Sequence, residues 1–212
     1  MIYLASKSPR RTELLQQVGV EHKIIDIEVD ENIDSSNSPE ENVRALSVLK
    51  CQEGVRKVIT EDMPSFPVLA ADTIVVLGDK IFGKPESESD AIAMLLKLSN
   101  KTHIVITAVT VGIINKEQAK FHTISVSSDV EFAKLTEDDC KEYCKTQEPF
   151  DKAGSYGIQG YGSAFIKKIN GSYSNIVGLP IHEVIELLKN WGFLIGIKNS
   201  FFKFFECLMH AK

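Results

Sequence analysis

Apolar residues recur along this chain with two periods. Ile2–Ala5 is a short, wholly apolar run of strand length. Val68–Leu77 (VLAADTIVVL) is the strongest strand signal, interrupted only by Asp72 and Thr73. Thr102–Asn115 and Lys120–Phe132 read as two more long strands, with Lys23–Val29, Ala164–Ile169 and Ser174–Gly178 as shorter ones. Gly78-Asp79 predicts a tight turn into a hairpin return at Lys80–Phe82. Helical spacing predicts a helix from Pro9 to near Gly19, with Ser8 as N-cap and glycine as the stop. Ser38-Pro39-Glu40-Glu41 starts a second helix, a cap, a proline and two acids at the positive end, running to about Ile59 although Gly54 weakens its later part. Further helices are predicted at Ser89–Leu98 (Ala91, Met94, Leu95 and Leu98 on one face), at Glu137–Thr146, and from Leu179-Pro180 to about Asn190. Phe150–Ser163 is a glycine-rich loop. Strands and helices intermix without strict alternation, which predicts an α/β fold with a mixed sheet flanked by helices.

Length and composition narrow the class. At 212 residues the chain fits one domain or two tightly packed lobes, and it can bury a large core without staples. Apolar residues are 43% and charged residues 25%, which excludes a wholly disordered or collagen-like chain. Lys and Arg (24) against Asp and Glu (29) give −5, with a pI near 5.6, so no nucleic-acid polymer is expected as partner. A local pocket for a small anion remains open. The four cysteines, at 51, 140, 144 and 207, form no C-x-x-C pair and read as reduced thiols of a cytoplasmic protein. The N-terminus has its charges after a very short apolar run, the reverse of a secretory signal, and no apolar run is long enough for a membrane span. Residues 196–212 differ in character, with four phenylalanines (201, 202, 204, 205) and a local charge of 3 − 1 = +2. They read as a C-terminal helix or a partly ordered end; a membrane-surface helix is the alternative.

Four segments could carry chemistry. Ser6-x-Ser8-Pro9-Arg10-Arg11 feeds a strand into a helix N-terminus with hydroxyls and two guanidiniums, an arrangement that suits an anion. No Walker loop is present. Asp72 lies inside an apolar strand, where a carboxylate is costly unless paired or bound to metal; a structural ion pair is the competing explanation. Lys84 sits between Gly83 and Pro85, on a stiff turn that can aim it. Asp151–Gly160 is glycine-rich, so backbone can approach a ligand closely, and Gln159 can both donate to and accept from an amide edge. Each segment alone also fits a structural explanation: a capped helix, a solvated lysine, a plain turn. The histidines form no metal-binding spacing, and no G-x-S-x-G elbow occurs.

Together, LASKSPRRTELL (4–15), SPEENVRALSVLK (38–50), VLAADTIVV (68–76), FGKP (82–85), LLKLSNKTHIVITAV (95–109), EPFDKAGSYGIQG (148–160) and INGSYSNIVGLPI (169–181) resemble the Maf family of nucleoside triphosphate pyrophosphatases. The resemblance covers roughly residues 1–195 in family order and leaves 196–212 outside. It implies an inosine-triphosphatase-like α/β fold: an elongated mixed sheet and two lobes with a cleft between them. It implies hydrolysis of a nucleoside triphosphate between the α and β phosphates, with a divalent cation, magnesium or manganese. Asp72 matches the family's catalytic proton acceptor; it would serve as base, as metal ligand, or as both. Lys50 and Lys84, with Ser6 and Arg10, match polar and basic positions around the phosphates. Asp30 matches an acidic position that would help hold metal. Arg10, Thr73 and Gln159 match positions tied to substrate choice, and Gln159-Gly160 resembles the branch acting on dTTP and UTP rather than on 7-methyl-GTP. A basic cleft is therefore expected.

Two other implications belong to the same resemblance. Relatives are associated with arrest of septum formation and cell division, which would make the chain a nucleotide-binding regulator acting through a protein partner. House-cleaning of modified nucleotides is a further alternative. Many relatives are dimers, so a homodimer is among the expected assemblies.

Overall fold

The computed structural model describes residues 1–31, 34, 36–115 and 118–193. Residues 196–212, set apart above, lie outside the described residues. Seven strands form one mixed sheet in the order β2-β1-β3-β5-β6-β7, with β4 beside β3. The strands are β1 (Ile2–Leu4), β2 (His22–Ile24), β3 (Val68–Leu77), β4 (Lys80–Phe82), β5 (Thr102–Asn115), β6 (Gln118–Phe132) and β7 (Ile166–Asn170). The helices are α1 (Pro9–Gln17), α2 (Pro39–Thr60), α3 (Glu88–Leu98), α4 (Glu137–Lys145), α5 (Tyr173–Val177) and α6 (Ile181–Asn190). β1 pairs parallel with β2 and β3, and every other pairing is antiparallel. Among the described residues no helix is long and apolar enough to cross a membrane.

Alternation along β3 decides which helices cover which face. Val68, Ala70, Ile74 and Val76 turn toward α2, where they meet Cys51, Val55, Val58 and Val43. Leu69 and Ala71 turn the other way, into a core with Leu14 and Leu15 of α1 and Leu187 and Leu188 of α6. Further along that second face Val75 joins Leu95 and Leu98 of α3 and Tyr143 of α4. The second face therefore has two halves, one under α1 and α6 and one under α3 and α4.

α2 begins with a full capping box. Ser38 Oγ accepts the Glu41 N–H, and the Glu41 carboxylate accepts the Ser38 N–H at 2.8 Å. Gly54 in its later part is a packing requirement, because a Cβ there would lie 2.8 Å from Val68 Cγ1 and 3.0 Å from Ala5 Cβ. The glycine lets α2 approach the sheet where β1 and β3 meet.

Two expectations fail. The strand predicted at Lys23–Val29 stops at Ile24, and the chain then leaves the sheet. Ser174–Gly178 is not a strand but lies in α5 and its C-terminal cap. Ser172 Oγ accepts the Asn175 N–H and starts that helical turn, while Asn175 turns its amide inward to Val105 O (3.1 Å) and Ser128 Oγ (2.9 Å). A five-residue segment with two adjacent apolar residues does not reveal its period, and the serine cap decided it.

Candidate functional site

The site begins at a gap in the sheet. On one edge β3 pairs with β5 along most of its length. On its other edge it pairs with β1 at Val68 and Leu69 and with β4 from Val75 to Leu77. Between these two neighbours, among the described residues, no strand covers Asp72 and Thr73. A cavity of about 1170 Å³ opens there, between the β1–α1 turn, α2, the Gly83-Lys84 turn and the glycine-rich loop. That is ample room for a nucleotide-sized ligand.

Asp72 and Thr73 leave the strand on opposite faces. On the α2 side, Lys50 Nζ lies 2.6 Å from Asp72 Oδ1 and 2.6 Å from Glu31 Oε1. The Lys50 and Asp72 side chains are only 12% and 13% exposed, so one half-enclosed ammonium is shared by two carboxylates. Burial would raise the Glu31 pKa. The Lys50 hydrogen bond and charge, aided by Lys84 and Arg11, outweigh it and hold Glu31 below the usual carboxylate range.

On the other side, Arg11 works as a brace. Its Nε donates to Gly178 O (2.9 Å), Nη1 to Ser6 Oγ (3.0 Å) and Nη2 to Thr73 Oγ1 (3.2 Å). Burial lowers its pKa, while the charge of Asp72 opposes that shift. Thr73 passes the connection to Thr107 (2.9 Å), which donates to Asn175 O at 3.0 Å. Ser6 Oγ also accepts the Ser8 N–H, so Ser8 caps α1 by position and not through its own side chain.

Across the cavity, Arg10 Nη1 meets Asp151 Oδ2 at 2.7 Å, and Lys152 Nζ meets Asp151 Oδ1 at 2.6 Å. Burial would raise the Asp151 pKa, but these two cations hold it low. This pair ties the N-terminal turn to the glycine-rich loop. That loop runs through short 3₁₀ turns at Glu148–Asp151, Ala153–Ser155 and Tyr161–Phe165. Gln159 lines the cavity from it, exposed.

Ser6, Arg10, Lys50, Asp72, Thr73, Lys84 and Gln159 thus all line one cavity. Asp30 does not: it is exposed and outside the lining, and the carboxylate facing Asp72 belongs to Glu31, the next residue. Arg11 and Asp151, which stood in the candidate segments without a role of their own, also line the cavity, as do Glu31 and Glu148, which were not singled out from sequence. The lining holds six basic residues (Lys7, Arg10, Arg11, Lys50, Lys84, Lys152) and six acidic ones (Glu13, Glu28, Glu31, Asp72, Glu148, Asp151), so 6 − 6 = 0. The expected basic cleft is formally neutral.

Among the described residues no three His, Cys, Asp or Glu side chains gather as a metal cluster. The Asp72 and Glu31 oxygens, both 2.6 Å from one ammonium, are at most 2.6 + 2.6 = 5.2 Å apart. Two such carboxylates suit a hard cation that takes its remaining oxygens from phosphate and water.

The sequence profile of the family described as Maf-like protein matches residues 1–191. The chain belongs to the Maf family. Among curated Maf relatives, a dTTP/UTP pyrophosphatase of Aromatoleum aromaticum is 40% identical over 201 residues, covering 91% of this chain and 96% of the relative. Those of Methylobacillus flagellatus and Pasteurella multocida are 44% and 43% identical over 194 residues. They cover 92% and 90% of this chain and 94% and 95% of the relatives. The mixed seven-stranded sheet flanked by helices agrees with the Maf fold.

Proposed function

We propose that this chain is a nucleoside triphosphate pyrophosphatase that hydrolyses dTTP and UTP to the monophosphate and pyrophosphate. The observation that carries the reading is the Asp72–Lys50–Glu31 group at the open edge of β3, with Arg10, Lys84 and Gln159 lining the same cavity. The names of relatives about 40% identical over nearly the whole chain support the substrate.

In this reading Asp72 accepts the proton of the water that attacks the α-phosphorus, and the bond to the β-phosphate bridging oxygen breaks. Lys50, Lys84 and Arg10 carry the charge of the leaving pyrophosphate. Gln159 meets the O4 and N3–H edge of uracil or thymine with one acceptor and one donor. Asp72 and Glu31 would hold a magnesium or manganese ion, which supplies positive charge to the phosphate oxygens. A neutral cavity receiving a highly charged triphosphate fits that need.

The test is product analysis by anion exchange with dTTP, UTP, CTP, ATP, GTP and 7-methyl-GTP, with magnesium and then manganese. Monophosphate and pyrophosphate from dTTP and UTP are expected, and Asp72→Asn should fold normally and lose turnover. Orthophosphate as the released product, or normal turnover by Asp72→Asn, would overturn the mechanism. No product from any nucleotide would shift weight to a regulator acting through a partner. A cytoplasmic homodimer is proposed as the working form, with light scattering in solution as its check.

A further inference from the structure

Residues 157–162 carry Gln159 near their middle, and both ends of the stretch are tied to the same two side chains. The Tyr143 hydroxyl of α4 accepts the Gly157 N–H at 3.2 Å and donates to Glu148 Oε1 at 2.8 Å. Glu148 Oε1 also accepts the Gly162 N–H at 3.2 Å, and Oε2 accepts the Tyr161 N–H at 2.8 Å. The glycines crowd this pair. A Cβ on Gly160 would lie 2.6 Å from the Glu148 carboxyl carbon, one on Gly162 2.7 Å from the Tyr143 hydroxyl, and one on Gly157 3.0 Å from Glu148 Oε1. The loop is wrapped on a carboxylate with no space between them.

We propose that Glu148 is a positioning residue that sets which nucleobase the site accepts, by fixing the 157–162 turn that presents Gln159. This rests on the dTTP/UTP reading and adds to it the group that enforces the choice. An amide discriminates between base edges only while its donor and acceptor are held in place. Without the carboxylate, the Tyr161 and Gly162 N–H groups lose their acceptor and Gln159 loses its fixed direction. The phosphate contacts proposed for Lys50 and Lys84 come from other elements, so they serve every triphosphate alike.

The experiment compares wild type, Glu148→Ala, Glu148→Gln, Gln159→Ala and the Glu148→Ala/Gln159→Ala double variant. Glu148→Ala should lower kcat/KM for dTTP and UTP by about tenfold to a hundredfold, mainly through KM, with CTP little changed. In the Gln159→Ala background the same change should add little further loss of selectivity. Glu148→Gln keeps one acceptor oxygen for Tyr143 and Gly162 but sets an NH2 against the Tyr161 N–H, so it should fall between. Amide exchange at Gly157, Tyr161 and Gly162 should quicken in Glu148→Ala while β5 stays protected. Equal loss for all nucleotides, full loss persisting without Gln159, or unchanged loop exchange would each overturn the proposal. Selectivity is also read as binding of the α,β-imido analogues of dTTP and CTP. Absence of turnover would then sink the proposed reaction and still leave this inference decided.

Discussion

Asp72 and Thr73 are joined by one peptide bond and serve different parts of the site. Asp72 meets Lys50 of α2, and Thr73 meets Arg11 of α1. Lys50 offsets two carboxylates at once, so its removal should cost far more than an exposed ion pair would. Lys50→Met is expected to lower kcat by about a hundredfold to a thousandfold, the scale for losing one preorganised electrostatic contact. Steady-state kinetics of the folded variant would check it, and a loss under tenfold would remove Lys50 from the mechanism. Arg11 uses three nitrogens on three partners, which a lysine cannot reproduce. Arg11→Lys should lower stability by about 1–3 kcal/mol, read by urea denaturation. Asp72 was legible from sequence because a carboxylate inside an apolar strand needs a reason. Glu31 was not, because it sits in a polar loop where neither alternation nor helical period says which acid turns inward.

At the scale of elements, β3 and β5 fall where their apolar runs predict, Val68–Leu77 and Thr102–Asn115. α2 was announced by its cap, its proline and its two acids. β2 was overpredicted because Ile25–Val29 continues the apolar pattern. Ile25 is buried but contributes to the core under α2, and Ile27, Glu28 and Val29 line the cavity instead of extending the sheet. Gly54 read as a helix weakness and is a contact surface. Gly54→Ala should gain up to about 1 kcal/mol of helix propensity and lose about 1–3 kcal/mol to overpacking against Val68 and Ala5. Net destabilisation is expected, seen as a lower urea midpoint; a higher midpoint would show that the sheet yields easily at this place.

For the whole molecule, acid should loosen the fold before it protonates every carboxylate. His103 of β5 is buried between Phe132 and Tyr156, with Nε2 2.8 Å from the Tyr156 hydroxyl and no partner at Nδ1 among the described residues. Burial lowers its pKa from 6.5 to about 4. The unfolded chain then binds a proton that the native state refuses. Stability is therefore complete above pH 6.5 and falls as pH drops toward 4, by on the order of 3 kcal/mol. Glu31 and Asp151, both held low, extend the loss below about pH 4.5. Urea denaturation between pH 7.5 and 5 would check the slope, which His103→Phe should flatten. The balanced cavity makes a second prediction at this scale. Chelating divalent ions should weaken binding of the α,β-imido analogue of dTTP by about tenfold or more, as measured by calorimetry. Unchanged binding would mean that the protein's own cations suffice.

The gap between β1 and β4 also divides the site by how its parts are joined. Asp72 and Thr73 are consecutive links of one central strand, so the peptide between them fixes their spacing and the pairing with β5 fixes their direction. Gln159 is joined to them through contacts between separate segments, among them Arg10–Asp151 and the Gly154 N–H bond to Gly83 O. In the proposed reading the reacting carboxylate is fixed by its own strand, and recognition depends on contacts between separate segments. Warming the protein below its unfolding transition should blur the choice of nucleotide before it slows the catalytic step.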